Sequence, residues 1–260
     1  MEPEVVKEGV AQSVNDQTVA QRFSAAAKHY HDFDRIQKMS SRLLFEKMSP
    51  HGTLLDIGAG PGTNFGQFTS VKKVIALDIA QGMLDQLSQD FPEYQTLCAN
   101  AQSIPLPNDS VNSAYSNLAL QWCSDLGASI NETARVLKHN GEYHLAVVAK
   151  DSLLELSDLG FRVNGFRSID EILSHFDNKQ QWQIISAETK AVTVYFPQLK
   201  SLLYSIKGVG ASIHANDQSS QGIRGRGDWV KLLSEAEKSR TPNGLPLTYQ
   251  IALISAKRIV

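Results

Sequence analysis

Apolar and polar positions change period several times along this chain, and each change marks a boundary. Over residues 18–48 apolar side chains recur every three to four places, at Phe23, Ala26, Ala27 and Tyr30 and again at Ile36, Met39, Leu43 and Leu44. That spacing predicts N-terminal helices within 18–50, which Pro50, His51 and Gly52 bring to an end. Short apolar runs then follow at 53–57, 73–77, 94–99, 111–116 and 142–149, the last after an Asn140-Gly141 turn. Helical stretches are expected between them: one opening near Gly62 or Thr63, one carrying Met83, Leu84 and Leu87, and one at 130–137. Repeated strand–helix units with short turns predict a parallel sheet with helices on both faces.

Past Lys150 the rhythm breaks. The pattern predicts two short helices (152–159 and 168–176), a strand pair (182–186 and 192–196) and a closing apolar strand at 247–256. The helical and loop region 197–245 then reads as an insertion between the last strands, placed where a lid covers a site. The polar segment 1–17 is expected to be flexible. The whole of 1–260 reads as one domain with its core at 51–150, a length that suffices to bury a full-sized core.

Composition excludes more than it selects. Hydrophobic residues make up 42% and charged residues 20%, as in an ordinary folded protein, and a formal net charge of -2 argues against a general nucleic-acid binder. The two cysteines, Cys98 and Cys123, are too few for a disulfide framework and are expected to pack as small core residues in a reducing compartment. The seven histidines form no HxH or HExxH group, so no metal site is expected. No apolar stretch reaches the ~20 residues of a membrane helix, and the N-terminus lacks the apolar region of a secretory signal. The expectation is a cytoplasmic protein that binds neither membrane nor nucleic acid.

The strongest local signal is Leu54-Leu55-Asp56-Ile57-Gly58-Ala59-Gly60-Pro61-Gly62, an apolar strand running into a glycine turn. Glycines there permit positive φ and let a ligand approach the backbone. A dinucleotide fingerprint needs Gly-x-Gly-x-x-Gly, but Thr63 stands at its third glycine position and the third glycine is Gly62. Asp56 at the strand end would repel a pyrophosphate and suits a cationic, amino-bearing ligand. Asp78 ends the next strand twenty residues beyond Gly58, where an acidic residue hydrogen-bonds ribose hydroxyls; its alternative reading is a helix N-cap.

Residues 54–62 resemble the first motif of class I S-adenosylmethionine-dependent methyltransferases, and Asp78 matches the acidic end of their second strand. The segment 100–107, Asn-Ala-Gln-Ser-Ile-Pro-Leu-Pro, resembles the stretch after the third strand that contacts adenine, with Asn100 where that family usually has aspartate. An asparagine oxygen still accepts from an adenine amino group. The resemblance implies a Rossmann-like α/β sheet, mostly parallel with an antiparallel last strand, and a cofactor site built from Asp56, Gly58, Ala59, Gly60, Gly62, Asp78, Ile79, Met83, Asn100, Ala101, Gln102 and Asn117.

Elements outside that core narrow the resemblance. Arg22–Tyr30, Ser116–Trp122, Lys207-Gly208-Val209-Gly210-Ala211 and Leu245-Pro246-Leu247-Thr248-Tyr249 resemble the BioC family, the malonyl-acyl-carrier-protein O-methyltransferases of biotin synthesis. The resemblance implies methyl transfer from S-adenosylmethionine to the free carboxylate of a malonyl thioester, carried by acyl carrier protein or coenzyme A. A carboxylic acid is already ionised at neutral pH, so no general base and no triad are expected. The site needs a cation or hydrogen-bond donors to orient the malonyl carboxylate. Candidates are Tyr30, Asn117, Gln121, Trp122, Lys207, Arg162 and Arg167, with Arg162 favoured over Arg167. Each has a plainer reading as a core or solvated side chain. Acyl carrier proteins are acidic, and residues 200–240 hold seven Lys or Arg against four Asp or Glu, including Arg224 and Arg226. Rival readings are a class I methyltransferase of another small metabolite, a dehydrogenase of similar fold, and a non-catalytic binding module.

Overall fold

Neighbouring apolar residues in the strands point to opposite faces of one sheet, and both faces are buried. The computed structural model describes residues 16–163, 165–177, 181–208, 214–215 and 225–260; most of the segment expected to be flexible lies outside them. In chain order the elements are α1 (Asp16–Ala26), a 3-10 turn (Ala27–Asp32), α2 (Arg35–Phe45), β1 (Gly52–Ile57), β2 (Val71–Asp78), α3 (Gln81–Asp90), β3 (Gln95–Cys98), β4 (Val111–Asn117), a second 3-10 turn (Leu120–Trp122), α4 (Leu126–Val136) and β5 (Leu137–Val148). Then come α5 (Leu154–Asp158), β6 (Phe161–Arg162), α6 (Ile169–Asp177), β7 (Trp182–Phe196), α7 (Leu199–Gly208), β8 (His214–Ala215), α8 (Arg226–Lys238) and β9 (Leu245–Arg258).

Seven strands form one sheet in the order β3-β2-β1-β4-β5-β9-β7, while β6 and β8 pair separately. Strands β1 to β5 pair in parallel, and β9 runs antiparallel to both β5 and β7. The order therefore reverses between β1 and β4, and ligands bind outside the strand carboxyl ends at such a switch point. Alternation explains the two cores. Leu55, Ile57, Ala252 and Ile254 face α4 and α6, whereas Leu54, Ile251 and Leu253 face α2, α5, α7 and α8.

Four expectations are corrected. No helix opens at Gly62 or Thr63, and residues 58–70 are turns and loop. Asn64 Oδ1 accepts from the Gly66 N–H at 2.8 Å, a local turn that competes with helix, and Phe65 and Phe68 sink into an aromatic cluster with Phe45. The phenol of Tyr94 ties this loop down, accepting from Phe65 N at 3.1 Å and donating to Thr63 O at 3.2 Å. The expected strand pair is instead one strand, β7, because Ala187–Ala191 contains no turn residue and its alternation continues along β9. Asn140-Gly141 does not precede β5 but lies within it as an irregularity, with Asn140 at φ 63. Cys98 is exposed, since β3 is a short edge strand, and Cys123 is only partly buried.

Candidate cofactor crevice

At the switch point the strand ends open into a crevice lined by residues that follow β1, β2, β3 and β4. Its floor is Gly58 and Gly60, one wall carries Asp78 and Asn100, the other Asn117, and α1 with Tyr30 lies across the top. The turn after β1 is shaped by its glycines. Gly58 takes φ 71, and a Cβ on it would lie 2.2 Å from Cβ of Ala119, so only glycine lets the chain leaving β4 pass this close. A Cβ on Gly60, at φ 55, would meet nothing within 4 Å; that position borders open space on the ligand side.

Electrostatically the crevice is built of acceptors. Asp78 accepts from backbone amides, among them Gly60 N–H to Oδ2 at 2.8 Å and Ala80 N–H to Oδ1 at 2.8 Å, with Ile79 N–H beside them. Burial nevertheless pushes its carboxyl above the usual range, the amide contacts offsetting only part of the effect. Asp56, buried behind the turn, is held well above that range by burial and then by the Asp78 charge. No Lys or Arg among the described residues offsets either charge. Four buried oxygens in or just behind the wall also lack a hydrogen-bond partner: Asp56 Oδ2, Gln37 Oε1, Asn117 Oδ1 and Gln121 Oε1. Each unmet buried polar group costs about 1–3 kcal/mol until a ligand donates to it.

The donors of the same amides are spent. Asn117 Nδ2 gives its hydrogen bond to Gln37 O at 2.9 Å and Gln121 Nε2 to Leu118 O at 2.6 Å. Exchanging oxygen and nitrogen in either amide would set two oxygens face to face, so these contacts fix the assignment. Leu118, between them, adopts φ 51, an uncommon conformation for a residue with a side chain. Tyr30 is partly buried near Asp78 and Asp34, and desolvation and then those charges push its phenol up. It therefore stays protonated and remains a donor.

Of the residues singled out in the sequence, the crevice wall brings together Tyr30, Gly58, Gly60, Asp78, Ile79, Met83, Asn100, Ala101, Gln102, Asn117 and Trp122. Asp56, Ala59, Gly62 and Gln121 stand outside this lining. The side chains of Arg162 and Lys207 lie outside the described residues. Arg167 is described, and its charge acts on the thiol of Cys123, a wall residue. Sequence reasoning set Tyr30 of the N-terminal helix at the site but did not name Asp16, Val19 or Phe23 there; all three line the crevice, and Phe23 meets Trp122 edge-on at 5.8 Å. The 3.6-residue periodicity announces this helix but not what it faces. The expected basic surface is partly neutralised, because Lys238 pairs with Glu235 and Arg240 with Glu237.

This geometry disfavours a dinucleotide, which places its pyrophosphate on a helix N-terminus. Here no helix follows the turn, and two carboxylates flank it. Among the described residues no group of three or more His, Cys, Asp or Glu is placed to hold a metal ion, and no helix is long and apolar enough to cross a membrane.

Residues 55–145 match the family model for a methyltransferase domain. The chain is 33% identical over 244 residues to a malonyl-[acyl-carrier protein] O-methyltransferase of Yersinia pestis, a match spanning 92% of this chain and 90% of that protein. The protein of the same name from Serratia marcescens is 33% identical, with 92% and 95% of the two chains covered. Among solved structures, a geranyl diphosphate C-methyltransferase from Streptomyces coelicolor, in complex with S-adenosyl-L-homocysteine, superposes with a TM-score of 0.58 at 14% identity, covering 96% of this chain and 100% of that one. That likeness speaks to the fold alone.

Proposed function

This chain belongs to the malonyl-[acyl-carrier protein] O-methyltransferase family, and we propose that it transfers a methyl group from S-adenosylmethionine to the free carboxylate of a malonyl thioester, with acyl carrier protein as the carrier. The product is the malonyl methyl ester that starts the route to pimelate and biotin. The observation that carries this reading is the Asp56–Asp78 pair: two buried carboxylates with no Lys or Arg against them among the described residues, a burden that a cationic ligand relieves.

Bound S-adenosylmethionine supplies a methyl group on a positively charged sulfur, an electrophile that a carboxylate attacks directly. The protein's part is to hold, orient and exclude water. Asp78 retains lone pairs for ribose hydroxyls after accepting from Gly60 and Ala80, and Asp56 faces the cationic end of the ligand electrostatically. Asn117 and Gln121 offer oxygens rather than N–H groups, so they suit the ammonium or the polarised methyl C–H groups and not the malonyl carboxylate. The donor for that carboxylate is the protonated Tyr30 phenol, aided by a cation; Arg167 is one candidate, with Arg162 and Lys207 as the others. Phe23, Trp122 and Tyr30 keep bulk water from the reacting atoms. Opposite charges cancel as the methyl moves, so a dry site favours transfer.

The test is incubation with labelled S-adenosylmethionine and malonyl-acyl carrier protein, malonyl-CoA or acetyl-acyl carrier protein. A base-labile methyl ester is expected on the malonyl substrates and none on the acetyl control, which lacks a free carboxylate. Labelling of a different acceptor, with neither malonyl thioester modified, overturns the assignment. The ratio of kcat/KM for the two malonyl carriers decides between them.

A further inference from the structure

Position 100 holds asparagine, and a carboxylate reaches it from the other end of the chain. Asp16, the first residue of α1, places Oδ2 2.7 Å from Asn100 Nδ2 and 3.3 Å from Gln102 Nε2. Both amides donate to that one oxygen, which leaves Oδ1 as an acceptor without a hydrogen bond among the described residues. Asn100 Oδ1, the atom expected to meet adenine, already accepts from the Gln102 backbone N–H at 2.9 Å. Turning the Asn100 amide over would aim an oxygen at Asp16 and an NH₂ at the Gln102 N–H, so its orientation is fixed from both sides. Asp16 itself is part of the crevice wall.

The placement of Asp16 does not hang on those two bonds. α1 is seated on the first turn of α3, where Gly82 N–H donates to Ser24 Oγ at 3.3 Å and a Cβ on Gly82 would come within 2.9 Å of Ser24 O. The Phe23–Trp122 contact holds the same helix from the other wall.

We propose that Asp16 is the acceptor that reads the purine 6-amino group, so that α1, and not the loop after β3 alone, carries the base specificity of the crevice. This rests on the reading that the crevice holds an S-adenosyl nucleoside. A carboxylate only accepts hydrogen bonds, so an exocyclic amino group satisfies it. A 6-oxo purine presents an oxygen at that position and is rejected. Asparagine at position 100 follows from the same arrangement: aspartate there would set two carboxylates within hydrogen-bonding distance of each other. Binding the nucleoside and docking α1 thereby become one event.

The test is calorimetric titration of the full chain with S-adenosylhomocysteine and with its hypoxanthine counterpart. The unmodified protein is expected to prefer the amino nucleoside by about tenfold or more, as for a hydrogen bond to a charged group. Asp16→Ala should erase the preference, bringing the two affinities within about twofold of one another. Asn100→Asp should weaken the amino nucleoside, and the double variant Asp16→Asn/Asn100→Asp, which moves the carboxylate across the pair, should recover the preference. Equal weakening of both nucleosides by Asp16→Ala would make Asp16 a strut for α1 and overturn the proposal. A preference that survives Asp16→Ala would overturn it too. No binding of either nucleoside to the unmodified protein sinks the cofactor reading itself, whereas binding without preference sinks only this one.

Discussion

The two halves of the sheet differ in the buried charge they hold. Around β1, β2 and β4 the unpartnered atoms include the acceptors Asp56 Oδ2 and Asn117 Oδ1 and the Ser116 hydroxyl, and the charge of one buried aspartate, Asp78, acts on another, Asp56. Across β5, β9 and β7 most polar groups find partners within the sheet. His144 Nδ1 lies 3.0 Å from Ser255 Oγ and its Nε2 3.3 Å from Glu142 Oε2, while Thr193 and Thr248 join hydroxyls at 3.0 Å. The Tyr143 hydroxyl and the Trp182 N–H lack partners in an aromatic cluster with Phe176, as does Gln181 Oε1 beside β7, while Glu188 Oε1 meets Lys47 and Lys190 as ion pairs. One half holds no pair of buried carboxylates among the described residues. The other is held in a costly state that a donor-rich cation relieves, and that asymmetry locates the function.

The comparison breaks if the halves cannot be perturbed separately. Leu253, fully buried in β9, is the place for the largest effect. Leu253→Ala should lower unfolding free energy by about 2–5 kcal/mol in urea denaturation, while S-adenosylhomocysteine affinity of the folded fraction stays unchanged. Asp56→Asn should do the reverse. It removes a poorly solvated charge, so the ligand-free protein should melt at the same temperature or higher, while cofactor affinity falls by about ten- to a hundredfold. A variant that loses stability and affinity together would place Asp56 in the scaffold instead.

Titration sharpens the contrast because the signs differ. The carboxyls of Asp56 and Asp78 are raised in the folded state above their ordinary value of 3.8. Their contribution to stability is full below that value and is lost as pH rises through the folded-state pKa. His144 is lowered by burial from 6.5, so its contribution is present above 6.5 and is lost as pH falls through the lowered value. Denaturation against pH should therefore lose its acid-side His component in His144→Gln and its carboxyl component in Asp56→Asn. Cofactor affinity should move against apo stability: a cation favours the ionised carboxylates, so affinity should rise with pH through the window where they ionise. An affinity that is flat with pH would mean that neither carboxylate meets the cation.

What was legible in the sequence follows the same division. The strands of the parallel half were readable because both their faces are buried and their ends are punctuated by glycine and aspartate. Spacing and strand ends drew attention to Gly58 and Asp78, which line the crevice, and to Asp56, which stands outside that lining. The missing helix after Gly62 was not readable, because its fate depends on Tyr94 reaching across thirty-one residues to Thr63 O. The long β7 was misread as two strands, since its middle faces solvent and only pairing with β9 holds it straight. Asp16 carried no local signal at all; its partners lie eighty-four and eighty-six residues away. Long-range hydrogen bonds, more than apolar pattern, separate what the sequence announces from what the fold adds.

The smallest expected effect concerns the far edge of the antiparallel half. Two of its cations, Lys238 and Arg240, are paired with Glu235 and Glu237, so they add little to any field that an acidic partner would feel. Arg226 opens α8, and Arg224 lies outside the described residues. Exposed charge alters the association rate of an acidic carrier protein more than the final affinity. Reversing both arginines to glutamate should raise KM for malonyl-acyl carrier protein by about fivefold at low salt, the difference fading as ionic strength rises. kcat and the kinetics with malonyl-CoA should not move, because malonyl-CoA needs no protein docking face. Equal losses with both carriers would mean that the change reached the crevice, and unchanged kinetics with the carrier protein would move the docking face elsewhere.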